Sequence, residues 1–300
     1  PPRPPQRQQQ WAAAPSVSQH IGGVLLHEEM LFSAEGVAEA LQARGLLPGV
    51  RADRGAKPFR LGAGEELTQG MDDLDRRCAD WRARGARFCA WRAAFRVDGS
   101  RPGQLRFPTP EAISNNADAA GRFAAVAQAH GLVPVVEAEL RLEGDTGIDG
   151  AAVALCRVLA GVAFALHLYR VFLPGAVVKT NLVRAGDAHP CPGYMRDPEH
   201  MGTATLRVLR HTLPPALGAV GVGLGGVGLA DGTAALAHMR AAAATAYAGS
   251  VPWTVSFGLG AAELAAGALQ SWHARGDARA AAAEFAEACR AAAAAVRGPK

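Results

Sequence analysis

Short β-like runs alternate with longer helical stretches rich in alanine and leucine from residue 21 onward, a pattern that predicts a parallel sheet with crossover helices. The expected strands are 21–26, 49–53, 88–93, 133–140, 176–183, 218–224 and 253–257, seven in all. Helices are expected between and after them at 34–44, 65–84, 110–130, 149–168, 199–212, 233–247, 260–273 and 278–296. Thr109-Pro110-Glu111 supplies an N-cap, a first-turn proline and a first-turn acid, while Gly45, Gly85 and Gly131 stand where a left-handed residue ends a helix. An open doubly wound sheet and a (β/α)8 barrel both fit this alternation.

Polar positions separate the two. Arg51 with Asp53, Glu137 with Glu139, and Lys179 with Asn181 each lie two apart on an expected strand, and Arg92 falls near the end of its run. Side chains two apart share a face, and all of these lie toward the C-terminal halves of their strands, where barrel enzymes carry their chemistry. The expectation is therefore an α/β TIM (β/α)8-type barrel, of which seven strands are detectable. Its domain is expected to span 21–300, preceded by a disordered tail over 1–20, whose Pro/Gln/Arg bias cannot build a core.

Composition narrows the class. With 300 residues, 49% of them hydrophobic and 19% charged, the chain can bury a large core. No stretch is expected to reach the apolar length that spans a bilayer, and no signal peptide is read, so the expected location is cytoplasmic. Cys78, Cys89, Cys156, Cys191 and Cys289 are scattered without a C-x-x-C pair and read as free thiols. The net charge of +4 comes from arginines interleaved with acids, which argues against nucleic acid as a partner. The histidines form no ligand spacing, and His189 with Cys191 is too little for a metal site, so no metal is expected.

Only Lys57, Lys179 and Lys300 are lysines among 31 basic residues, and Lys179 sits in the apolar run Val177-Val178-Lys179-Thr180-Asn181-Leu182. An amine can deprotonate and attack a carbonyl, whereas guanidinium cannot. An ordinary lysine with pKa about 10.4 is a free amine in about one molecule in 2,500 at neutral pH, and a value near 7 would free half at a cost of about 4.6 kcal/mol. Apolar neighbours and a nearby Arg92 or Arg51 favour that shift, and Glu137 is placed to protonate the hydroxyl that departs as a ketone becomes an iminium. Gly221-Val222-Gly223-Leu224-Gly225-Gly226 also matches G-x-G-x-x-G, but 240–252 lacks the acid a dinucleotide ribose needs, so a phosphate-holding turn is the better reading.

These residues resemble the class I, Schiff-base fructose-bisphosphate aldolases. The similarity is carried by Ile21-Gly22-Gly23-Val24, Thr68-Gln69-Gly70-Met71-Asp72, Trp91-Arg92, Gly131 to Glu139, Val178-Lys179-Thr180-Asn181, Leu213-Pro214-Pro215-Ala216, Gly225-Gly226 and Pro252-Trp253. The resemblance implies a TIM barrel, a cytoplasmic homotetramer able to bind cytoskeletal partners, no cofactor, and glycolytic cleavage of fructose 1,6-bisphosphate into two triose phosphates. It implies Lys179 as the imine-forming lysine, Glu137 as the dehydration acid/base and Glu139 as its neighbouring carboxylate. Arg92, Arg51, Asp53, Asn181, Gly225 and Gly226 then bind the sugar phosphate.

Departures from the family bear on turnover. Ala90 stands where a second active-site lysine is expected, Leu224 replaces a serine before the phosphate turn, and Ala261 falls about where a phosphate-clamping arginine belongs. Thr180 and Ala138 replace prolines, and neither the family's first strand with its catalytic aspartate nor its terminal tyrosine is found in this sequence. The expectation is a lyase of reduced activity. The alternatives are an aldolase-fold protein acting by assembly or partner binding, and an unfinished barrel.

Overall fold

The computed structural model describes residues 16–33, 36–61, 64–99, 106–190, 193, 196–246, 251–260 and 278–298. The strands are β1 (Gly23–Leu26), β2 (Leu47–Arg51), β3 (Ala56–Pro58), β4 (Glu66–Thr68), β5 (Phe88–Arg96), β6 (Val133–Arg141), β7 (Val177–Asn181), β8 (Ala219–Gly223) and β9 (Thr254–Gly258). The helices are α1 (Glu28–Ser33), α2 (Val37–Gln42), α3 (Leu74–Ala83), α4 (Pro110–Ala129), α5 (Ile148–Leu168), α6 (Pro198–Thr212), α7 (Leu229–Ala246) and α8 (Ala278–Arg297). All seven expected strands are present and form one parallel sheet in the order β1-β2-β5-β6-β7-β8-β9. Each neighbour in that order follows in sequence, which is the winding of a barrel wall and not the strand reversal of a doubly wound sheet. Among the described residues β1 and β9 do not pair with each other, so the wall is an open half-barrel.

Alternation along the strands sorts the side chains. Val50, Cys89, Trp91, Ala93, Val136, Ala138, Val178, Val220 and Val222 are buried under the helical layer, with the Trp91 and Phe123 rings stacked 5.6 Å apart. The opposite set lines the concave side, where Phe88 lies over Gly49: a Cβ there would come within 2.1 Å of its ring. Burying the first set drives the fold, and the second set is left free to carry polar groups.

Several expectations change. The helix expected at 65–84 becomes β4 followed by α3, because 66–68 pairs antiparallel with β3 and Gly70, at φ +124°, breaks the run. The helix expected at 34–44 is preceded by the short α1, with Gly36 at φ +80° ahead of α2. The helix expected at 260–273 lies almost wholly outside the described residues. Residues 17–19 are not part of a loose tail: they form a helical turn with Val17 buried, and Gln19 O accepts from Arg297 of α8. Finally, α5 is long and apolar enough, by length and composition, to cross a bilayer, contrary to the reading that no stretch is. In the fold it lies against α4 and α6, with Ala151, Leu155, Val158, Leu159, Val162 and Leu166 buried.

Candidate active site

Register sets the site. Arg92, Glu137, Lys179, Gly221 and Ser256 stand level across β5, β6, β7, β8 and β9, and neighbouring residues at one level of a parallel sheet point to the same face. Arg51 is one layer closer to the N-terminal ends, level with Ala90 and Val135. Its guanidinium reaches up to Glu137 Oε2 at 3.0 Å, and Nη1 also lies 3.4 Å from Asp53 Oδ2. Lys179 Nζ donates to Glu137 Oε1 at 3.2 Å. Asp53, just past the end of β2, accepts the Arg92 backbone N–H at 3.0 Å, and Arg92 Nε meets Glu139 Oε2 at 2.5 Å.

Six of the sequence-read residues thus form one charged network on the concave side: Lys179, Glu137, Arg51, Asp53, Arg92 and Glu139. Its centre is dry and its rim wet. The Glu137 side chain is 8% exposed, against 30% for Lys179 and 44% for Arg92. Burial pushes the Glu137 carboxyl up, but the positive charges of Lys179 and Arg51, with the hydrogen bonds they donate, outweigh it and hold the group below the usual carboxylate value. Glu137 is therefore ionised at neutral pH. As an acid it must first receive a proton.

Asn181 closes the end of the β6–β7 ladder. Its side-chain oxygen accepts the Leu140 N–H at 2.9 Å and its amide donates to Leu140 O at 3.0 Å. The β6–β7 ladder ends at Ala138 and Thr180, so the Asn181 amide takes over the next two backbone groups. Gly225 and Gly226 lie in the turn after β8, closed by Val227 N–H donating to Leu224 O at 3.1 Å. Ala90 is buried on the concave side beside Arg51, and Ala261 lies outside the described residues.

The sequence reading missed the bed on which Lys179 lies. A Cβ at Gly221 would sit 3.1 Å from Lys179 Cγ, and one at Gly258 would sit 2.6 Å from Cε and 3.2 Å from Nζ. Two neighbouring strands therefore present bare backbone to the lysine stem. Alternation of Gly221-Val222-Gly223 and Ser256-Phe257-Gly258 is the only signal for this in the sequence, and it gains meaning from cross-strand register. Among the described residues no three of His, Cys, Asp and Glu come together to hold a metal ion.

Comparison with known proteins agrees with this geometry. A family model, class I fructose-bisphosphate aldolase, matches residues 3–299. Fructose-bisphosphate aldolase of Dictyostelium discoideum is 35% identical over 260 residues, covering 85% of this chain and 69% of that protein. Fructose-bisphosphate aldolase C of Rattus norvegicus is 33% identical over 275 residues, covering 90% and 72%. In structure, the fructose-bisphosphate aldolase of Plasmodium falciparum, solved with TRAP and a small-molecule inhibitor, superposes with a TM-score of 0.87 at 30% identity, covering 98% of this chain and 82% of that one. A lysine and a carboxylate facing each other across parallel strands, in a chain matched almost end to end, make this protein a member of the class I fructose-bisphosphate aldolase family, lyases of glycolysis built on the TIM barrel.

Proposed function

We propose that the chain cleaves fructose 1,6-bisphosphate to dihydroxyacetone phosphate and glyceraldehyde 3-phosphate through an imine on Lys179. The observation that carries the reading is the Lys179 Nζ to Glu137 Oε1 hydrogen bond of 3.2 Å on the concave side. Glu137 takes a proton from the Lys179 ammonium, and the free amine attacks the ketone carbon. The carbinolamine then loses water as Glu137 returns that proton to the departing hydroxyl. Glu137, a carboxylate again, accepts the proton of the hydroxyl one carbon beyond the bond to be broken. That bond's electrons flow into the iminium and leave an enamine. Protonation of the enamine carbon and hydrolysis release the second triose and the lysine. Arg51 keeps Glu137 ionised between these transfers, and Arg92 with Glu139 lines the wetter rim.

We further propose that turnover is reduced. Ala90 leaves the wall beside Arg51 without the second amine, and one positioned acid–base group is worth about 100- to 10,000-fold. The same substitution favours, as a second reading, an aldolase-fold subunit acting through assembly or partner binding. Release of triose phosphate from fructose 1,6-bisphosphate, followed with a coupled dehydrogenase, tests the first reading. Activity that disappears in Lys179→Met supports it, and activity that survives the substitution refutes it.

A further inference from the structure

We propose that Arg184 is the cation of the phosphate subsite, a positioning residue held beneath the Gly225-Gly226 turn to bias it toward the substrate's phosphate. The inference rests on the aldolase reading above. Arg184 follows β7, the strand of Lys179, and the glycine turn follows the adjacent β8, so both loops issue from the same end of the wall. The Arg184 side chain is only 5% exposed. Nη1 donates to Ala185 O at 2.8 Å and to Asp187 Oδ1 at 2.9 Å, and Nη2 lies 3.4 Å from Asp187 Oδ2. Its Nε is buried with no hydrogen-bond partner among the described residues.

That unpartnered nitrogen faces the turn. Gly226 has φ +77°, and a Cβ there would sit 2.5 Å from Arg184 Nη2 and 3.2 Å from Nε. Only a glycine lets this backbone rest on the guanidinium. Charge around it is not balanced, since Asp187 also accepts from Arg196 Nη2 at 2.7 Å, giving two guanidiniums for one carboxylate. A dianionic phosphate seated on the turn would meet backbone N–H groups backed by a buried positive charge, which a dry surrounding screens poorly. Arg184 thereby stands in for charge that the turn itself lacks, Leu224 having no polar group to offer.

The test compares two ketones in borohydride trapping of Lys179. In Arg184→Gln the half-saturating concentration of dihydroxyacetone phosphate is expected to rise about fivefold, the size of one modest charge interaction, with that of unphosphorylated dihydroxyacetone unchanged. Arg184→Lys, which keeps the charge, should stay near the parent protein. Equal shifts for both ketones, or no shift for either, overturn the inference. Should the parent protein trap neither ketone, the imine reading fails, and a titration with inorganic phosphate still decides this one. Saturable movement of the Arg184 Nε–H and Gly226 amide resonances supports the subsite, and a still Nε–H refutes it. The same titration on the parent protein decides the matter if Arg184→Gln does not fold.

Discussion

Gly258→Ala separates the lysine's path from the stability of the barrel. The new Cβ would lie 2.6 Å from Lys179 Cε, whereas carbons in contact keep about 3.5–4.0 Å, so the stem must retreat by about 1 Å. The far end of a lysine yields without disturbing the core, and Gly258 is not among the glycines with positive φ, so alanine imposes no backbone strain. Loss of glycine freedom in the unfolded chain should even stabilise the protein by about 0.4–1 kcal/mol. A reacting atom displaced by about 1 Å costs on the order of 100-fold in rate, or about 2.7 kcal/mol of transition-state stabilisation. The assay is kcat/KM for fructose 1,6-bisphosphate beside a thermal melt of the same preparation. Activity down about 100-fold with an unchanged or raised Tm is expected. Unchanged kcat/KM would show that the amine does not work from this bed, and a fall in Tm matching the loss of activity would make Gly258 merely structural.

Glu137→Gln tests the electrostatics of the network. Because the folded value lies below the ordinary 4.5, the ionised group stabilises the fold above that value, and the contribution fades as pH falls through the lower folded value. Urea midpoints of parent and variant should therefore converge as pH drops below about 4.5 and separate at neutral pH; a constant gap contradicts the assignment. Arg77 is buried and donates to Gly70 O and Ala52 O at 2.9 Å each while pairing with Glu28, so it fixes the backbone just before Asp53. Arg77→Met should cost about 3–5 kcal/mol in urea unfolding, and a loss below about 1 kcal/mol would refute that role. Thr180 Oγ1 is buried without a partner among the described residues, so Thr180→Val should raise stability by about 1 kcal/mol, measured the same way, and a comparable loss would mean the hydroxyl is satisfied.

The strands were legible because their outward residues, such as Val136, Ala138 and Leu140, are continuously buried under helices and so write β-branched and apolar runs into the sequence. The β3–β4 hairpin was not, since three-residue strands containing Lys57, Pro58 and Glu66 carry no period to read. At the site, spacing of two was enough to put Glu137 with Glu139 on one face, but spacing says nothing about which strand ends its ladder early. That is why Asn181, two beyond Lys179, turned out to hold Leu140. Gly221 and Gly258 face Lys179 through register across three strands, and Arg184 meets Gly226 through two loops, relations that arise only once the wall is wound.

Borohydride reduction in the presence of dihydroxyacetone phosphate, followed by peptide mass spectrometry, tests the central claim most directly, because Lys57, Lys179 and Lys300 are the only lysines in the sequence. The account predicts a stable adduct on Lys179, absent from Lys179→Met. An adduct confined to Lys57 or Lys300, or no adduct at saturating ketone, would contradict it.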